Sequence, residues 1–232
     1  MSLRMAKARG SSLQQRRQRA GVILRILQSV YPGAKCSLDY RTPLQLLVAT
    51  ILSAQCTDKR VNLVTKGLFK KFKTAADFAK SPEGDLEKDI QSTGFFRSKA
   101  KSIRSMAASL LEKHGGRVPE TMEELTALAG VGRKTANVVL GNAFGKNIGV
   151  VVDTHVSRLS QRLELTRQTT PEKIEIDLME VVPQEQWTLW PHLMIHHGRA
   201  ICTARSPGCE RCPIFAECPT GPRIIKDRDV AL

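Results

Sequence analysis

Apolar residues recur at helical spacing along almost the whole chain, and the strict alternation of a half-buried strand is nearly absent. This pattern predicts an all-α protein. Helix starts are marked at Thr42-Pro43, whose apolar run continues to Leu52, at Ser81-Pro82 and at Thr170-Pro171; stops are marked at Gly94 and Gly115-Gly116. About ten helices of ordinary length fit between such signals. The first, over residues 12–30, puts Val22, Ile23, Ile26, Leu27 and Val30 on one face. Residues 148–152 are apolar in the manner of a strand, but they run straight into a helix start at Asp153-Thr154, so a buried connection is expected there.

Two further helical patterns, over 121–129 and 133–143, flank Gly130-Val131-Gly132. The expected unit is helix, hairpin, helix. Glycines permit hairpin dihedrals that other residues avoid, and the first N–H groups of the second helix lack intrahelical partners. Those groups, at the positive end of the helix dipole, suit a phosphate. Such a turn alone marks an ordinary helix corner. Lys134, two residues past the glycines, changes that by putting an amine beside the expected phosphate.

Composition narrows the partner. With 232 residues, 41% hydrophobic, the chain can bury one large core or two modest ones. A split is expected between residues 37–145, which end in the hairpin helices, and 146–232, which hold Asp153 and the clustered cysteines. Lys+Arg 36 against Asp+Glu 22 leaves a formal charge of +14, which points to a polyanion and first to nucleic acid. No apolar run is long enough to span a bilayer and no secretory leader is recognisable, so no membrane partner is expected. Residues 1–11 are basic without an acidic residue and are expected to form a flexible arm.

Cys36 and Cys56 stand alone and are expected as small buried hydrophobes. Cys202, Cys209, Cys212 and Cys218 follow the spacing C-x6-C-x2-C-x5-C. Disulfides are disfavoured in the reducing compartments where nucleic-acid proteins work. One C-x2-C inside a single tight loop suits four thiolates around an iron–sulfur cluster better than the paired knuckles of a zinc ribbon; on spacing alone zinc stays as the alternative. Arg199, Arg205 and Arg211 nearby are candidates for phosphate contact or for offsetting thiolate charge.

Together, LVATILSAQCTD (47–58), STGFFRSKA (92–100), LAGVGRKTANVVL (128–140), VDTHVSRL (152–159), HGRAIC (197–202) and the four cysteines resemble the endonuclease III family of DNA glycosylases with abasic-site lyase activity, over roughly residues 24–218. The resemblance implies two helical domains. One is a six-helix barrel over 37–145 with the helix-hairpin-helix at 121–143; the other joins 12–36 to 146–232 around a [4Fe-4S] cluster held by Cys202, Cys209, Cys212 and Cys218. It implies base-excision repair by a monomer acting on double-stranded DNA with oxidised pyrimidines or abasic sites, in the cytoplasm and, in a bacterium, at the nucleoid.

The family's catalytic positions fall on Lys134 and Asp153. A neutral amine attacks C1′ of the deoxyribose, displaces the damaged base and leaves an iminium that acidifies the C2′ protons, which permits β-elimination of the 3′ phosphate. Asp153 accepts a proton through water or stabilises positive charge on the sugar. Gly130, Val131, Gly132 and Arg133 form the DNA clamp, and His155 orients the aspartate loop or meets DNA. Gln55 fills the void left by the flipped nucleotide. Phe95 and Phe96 stand where the family has leucine followed by tyrosine, and one of them supplies the second wedge. Lys99, Lys101 and Arg104 are expected to reach phosphates, and His196 and His197 to be structural. The 145–148 loop is one residue longer than the family pattern.

Two other functions compete. A monofunctional adenine mismatch glycosylase of the same superfamily shares the cysteines and the aspartate but lacks lysine at the position of Lys134. A non-catalytic helix-hairpin-helix DNA-binding protein requires neither Lys134 nor Asp153.

Overall fold

The computed structural model describes residues 11–230, so all but Ser11 of the expected basic arm lies outside the described residues. Among them are twelve α-helices and four 3₁₀ turns, with no strand. They form two compact units: Lys35–Val151, and the described residues through Ala34 together with those from Val152 onward. In chain order, α1 (Leu13–Val30) precedes the first of these. That unit holds α2 (Pro43–Leu52), α3 (Asp58–Lys71), α4 (Ala75–Ala79), α5 (Asp85–Ile90), α6 (Phe96–His114), α7 (Met122–Thr126) and α8 (Arg133–Phe144). After it come α9 (Thr154–Arg162), α10 (Pro171–Val181), α11 (Leu189–Ala200) and α12 (Gly221–Val230). No helix among the described residues is long and apolar enough to cross a membrane.

The Lys35–Val151 unit is built around α2. Leu44, Leu46, Leu47, Val48, Ala49, Ile51 and Leu52 are all buried, and a helix apolar on every side has to be surrounded by others. Helices α3, α6 and α8 pack against it. Its start follows the sequence signal: Thr42 Oγ1 accepts from the Gln45 N–H at 3.2 Å, with Pro43 at the first helical position. Thr50 satisfies its own hydroxyl by donating to Leu46 O at 2.7 Å.

The start expected at Ser81-Pro82 is displaced. Helix α5 begins at Asp85, behind Gly84 at φ +90. Ser81 is buried and serves as an anchor for α6, accepting from Arg104 Nε at 3.0 Å while its own hydroxyl donates to Phe78 O at 2.8 Å. Arg104 donates further to Ser81 O and Pro82 O and forms a two-pronged pair with Glu87 at 2.5 and 2.6 Å. It is therefore committed to holding α6, which corrects the phosphate contact expected of it.

In the other unit, Ser12 and Gln15 form a reciprocal capping box at the start of α1. Ala20, Ile23, Leu24 and Leu27 bury its apolar face, and the helix packs on α10 and α11. Val30, expected on that face, is the last helical residue and is exposed. Residues 148–152 form no strand: Val150 and Val152 are buried in an irregular connection. Cys36 and Cys56 are half-buried rather than buried, each packed at the edge of the α2 core.

The Arg104 pair makes a pH prediction. Its hydrogen bonds hold the Glu87 carboxyl down from 4.5 to about 2. The unfolded chain takes up that proton first, so the pair's stabilisation is present above about pH 4.5 and lost as pH falls towards 2. Urea unfolding at about pH 6 and about pH 3 should show a loss in the wild type that Glu87→Gln lacks, on the order of 1 kcal/mol after solvent screening.

Candidate active site

The hairpin lies between α7 and α8. Gly130 has φ +75, and a Cβ there would lie 2.8 Å from Ser102 Cβ and 3.1 Å from Ser102 Oγ. Only glycine fits both the dihedral and the approach of α6. Gly132 differs: its backbone is extended, φ −88 and ψ 173, and a Cβ would meet nothing within 4 Å. The reason for glycine here is exposure, not conformation. Gly132 caps α8 without a side-chain hydrogen bond, so the cap residue itself leaves the first N–H groups of the helix uncovered. Arg133 and Lys134 are exposed in that first turn.

Val131 corrects the expectation of a DNA contact. Its side chain is 5% exposed, and its N–H donates to Leu128 O at 3.1 Å. It anchors the hairpin from inside.

The same unit presents two strained turns. Gln55 and Phe95 both occupy the left-handed region, at φ 53 and φ 48, and both side chains are exposed, Phe95 by 67%. Left-handed backbone in a residue other than glycine is uncommon and gathers at functional sites. Phe96 is half-buried against the α2 core, with Arg97 over its ring at 5.4 Å. The two phenylalanines, alike in sequence, are thus separated by exposure.

Lys99 is the clearest correction among the expected phosphate contacts. It is 6% exposed, and its Nζ donates to Leu52 O and Thr93 O, both at 2.8 Å. Burial lowers its pKa. An ammonium enclosed by two carbonyls is not available to a phosphate. Lys101, two residues on, remains exposed.

In the second unit, Asp153 caps α9. One carboxylate oxygen accepts from the Val156 N–H at 2.8 Å, which fixes the side chain as a Ser or Asn cap would. His155 is half-buried, and its Nδ1 lies 3.1 Å from Arg158 Nη2. Arginine only donates, so Nδ1 is the acceptor and the neutral ring carries its proton on Nε2. Burial, opposed by Asp153, keeps the imidazole below its usual pKa. The same Arg158 nitrogen also donates to Gly198 O at 3.2 Å and Cys202 O at 3.0 Å. A Cβ at Gly198 would lie 2.8 Å from His155 Nδ1, so α11 approaches α9 only because that residue is glycine.

Cys202, Cys209, Cys212 and Cys218 line one cavity of about 400 Å³, counting the solvent at its mouth, with Leu159, Ile214 and Phe215 among the apolar walls. The 3₁₀ turns Cys209–Arg211 and Phe215–Glu217 fold the loop over it. Arg162 Nη1 donates to Cys202 Sγ at 3.2 Å, and Nε2 of His197 lies 3.5 Å from Cys212 Sγ. Burial pushes the Cys212 thiol up to about 11, so it becomes a thiolate only with a positive partner. Among the described residues, no three His, Cys, Asp or Glu side chains converge as the ligands of one metal ion would. Four cysteines lining one cavity are a thiolate donor set of the kind that holds zinc or an iron–sulfur cluster. His197 is 1% exposed and Tyr31 stacks on His196, so both histidines are structural.

Arg158, Arg162 and Gly198 were not singled out from sequence. The i, i+4 spacing of the two arginines was readable, but nothing in it pointed to the cysteine loop.

Comparison with known proteins decides the family. The model of the HhH-GPD superfamily of base excision DNA repair proteins matches residues 48–184. The endonuclease III of Synechocystis sp. is 55% identical over 205 residues, 88% of this chain and 94% of that protein. That of Bacillus subtilis is 45% identical over 198 residues, 85% and 90% of the two chains. The chain belongs to the endonuclease III family. A solved endonuclease III in a trapped covalent intermediate with DNA is similar in fold, with a TM-score of 0.85 and 43% identity over 90% of this chain and 98% of that one. The chain is accordingly a base-excision DNA glycosylase with abasic-site lyase activity.

The two hairpin glycines should respond differently to alanine. Gly130→Ala, strained and in collision with Ser102, should lose about 1–3 kcal/mol of stability. Gly132→Ala should lose under about 1 kcal/mol. Thermal unfolding of both variants reads the difference.

Proposed function

We propose that the chain removes oxidised pyrimidines from duplex DNA and cleaves the strand 3′ to the resulting abasic site, with Lys134 as nucleophile. The observation that carries this reading is the placement of Lys134: exposed, in the first turn of α8, immediately behind a hairpin whose N-cap residue is a glycine without a capping side chain. Phosphate held at Gly130, Gly132 and Arg133 would bring the adjoining sugar to the amine. The neutral amine bonds to C1′ as the base departs with the glycosidic electron pair; the C1′–O4′ bond then opens, O4′ taking a proton as the nitrogen loses one, to give a lysine Schiff base. Loss of a C2′ proton then expels the 3′ phosphate, and hydrolysis of the imine returns the lysine. That an endonuclease III has been trapped as a covalent intermediate with DNA supports this route.

Asp153 takes the second role. One carboxylate oxygen is committed to capping α9, and the other accepts a proton through water or faces positive charge on the sugar. His155, held by Arg158, orients this loop. Gln55 and Phe95 fill the space left by the flipped nucleotide; their exposure and left-handed backbone support them over Phe96. Cys202, Cys209, Cys212 and Cys218 hold a [4Fe-4S] cluster, and the cavity they line is suited to one. When bound, it supplies four iron–thiolate bonds that fix the loop. With DNA as substrate, the chain acts in the cytoplasm, at the nucleoid of a bacterial cell.

Lys134→Gln should lose cleavage of an abasic duplex by about a thousandfold while binding that duplex within a few-fold of wild type. A parallel loss of binding would instead make Lys134 a phosphate contact. Asp153→Asn should slow release of thymine glycol more than cleavage at a pre-formed abasic site. Release without strand cleavage by the wild type would favour the monofunctional alternative.

A further inference from the structure

Lys99 carries a charge that no step above uses. Lysine is almost never buried without a partner, and burial disfavours its charged form. An apolar side chain of similar length would avoid that cost, so the ammonium has a reason to be there. Its acceptors suggest what the reason is. Leu52 is the last residue of α2, and Thr93 the last of the 3₁₀ turn Gln91–Thr93. Carbonyls at helix ends have no intrahelical donor, and a cation there is favoured by the helix dipole.

Beyond each carbonyl the chain enters one of the two strained turns, reaching Gln55 on one side and Phe95 on the other. The backbone of Lys99 holds the second turn as well, since its N–H donates to Phe95 O at 3.0 Å. One residue therefore joins the stems of two turns that lie far apart in sequence.

We infer that Lys99 is a positioning residue whose ammonium ties the Gln55 turn to the Phe95 turn, so that the two exposed side chains enter the duplex at a fixed separation. The inference rests on the assignment of Gln55 and Phe95 as the void-filling pair. A buried pin suits such wedges. One set on a loose loop would fold away rather than push a base from the stack, and two with independent play would not fill one gap.

The test is hydrogen exchange of the full chain with Lys99→Met, which keeps the apolar stem and removes the donor. Amides of residues 53–57 and 93–97 should lose protection together, by about tenfold or more, while α8 keeps its protection. Base flipping, read by 2-aminopurine beside a thymine glycol, should fall about tenfold further than cleavage of a single-stranded abasic oligonucleotide, which needs no flipping. The salt dependence of duplex binding should keep its slope. A slope reduced by about one would make Lys99 a phosphate contact and overturn the inference. Unchanged exchange at either turn would also overturn it. If Lys99→Met exchanges throughout the unit, Lys99→Gln, which keeps amide donors one bond shorter, is measured instead: restored protection at both turns supports the pin, and protection at one or neither refutes it. Phe95→Ala separates the two claims, because it should abolish flipping without changing exchange at the Gln55 turn. Full flipping by that variant would remove the wedge assignment and leave the pin standing.

Discussion

Helix ends are the constraint on which this fold depends. The dozen mostly short helices among the described residues each close with carbonyls that have no intrahelical donor, and in a compact unit water does not reach them all. Basic side chains answer much of that need. Arg16, Arg17 and Arg19 donate to Leu165 O, Glu180 O and Leu163 O at or just past the ends of α9 and α10. Lys99 takes the ends of α2 and the Gln91–Thr93 turn, Arg104 the residues after α4, and Arg158 the last turn of α11. Arg162 holds Thr203 O and Ala204 O in the cysteine loop. Each gives a backbone carbonyl a charged donor, among the stronger hydrogen bonds available to a protein.

That use of charge explains what was legible in the sequence and what was not. A formal charge of +14 correctly announced a polyanionic partner, but it could not say which cations face outward. Lys99 and Arg104 occupy adjoining turns of α6 with Lys101, and only the packing of α2, α4 and α5 around that helix distinguishes them. Periodicity reports a helix and its apolar stripe; it does not report a long cation whose stem lies in the stripe while its head reaches a carbonyl. Local signals fared better, because their causes are local. Thr42-Pro43 starts α2, Gly115 ends α6, and Gly130 makes the hairpin, each through the dihedrals or donors of one or two residues. Ser81-Pro82 carried the same kind of signal, yet Ser81 was taken by Arg104, a contact no local pattern contains.

The candidate site divides along the same line. The motif residues Lys134, Asp153 and the four cysteines were named from spacing and resemblance. The strain at Gln55 and Phe95 was not, since nothing in a Gln or Phe declares a left-handed backbone. Strain of this kind persists only where surrounding structure over-determines it. Here the support comes from helix-end hydrogen bonding again, so the device that closes the fold also stiffens the turns that carry the proposed wedges. On α9, Arg158 links the Asp153 and His155 segment to Gly198 and Cys202, so the cysteine loop and the aspartate loop share a donor.

The proposed chemistry turns on a covalent bond between Lys134 and the deoxyribose of an excised base. Borohydride reduction during turnover on thymine glycol duplex, followed by proteolysis and tandem mass spectrometry of the cross-linked peptide, locates that bond. A reduced sugar adduct is expected on the peptide containing Lys134, at its side-chain nitrogen. An adduct on another lysine or on the N-terminal amine, or base release with no adduct at all, would contradict it.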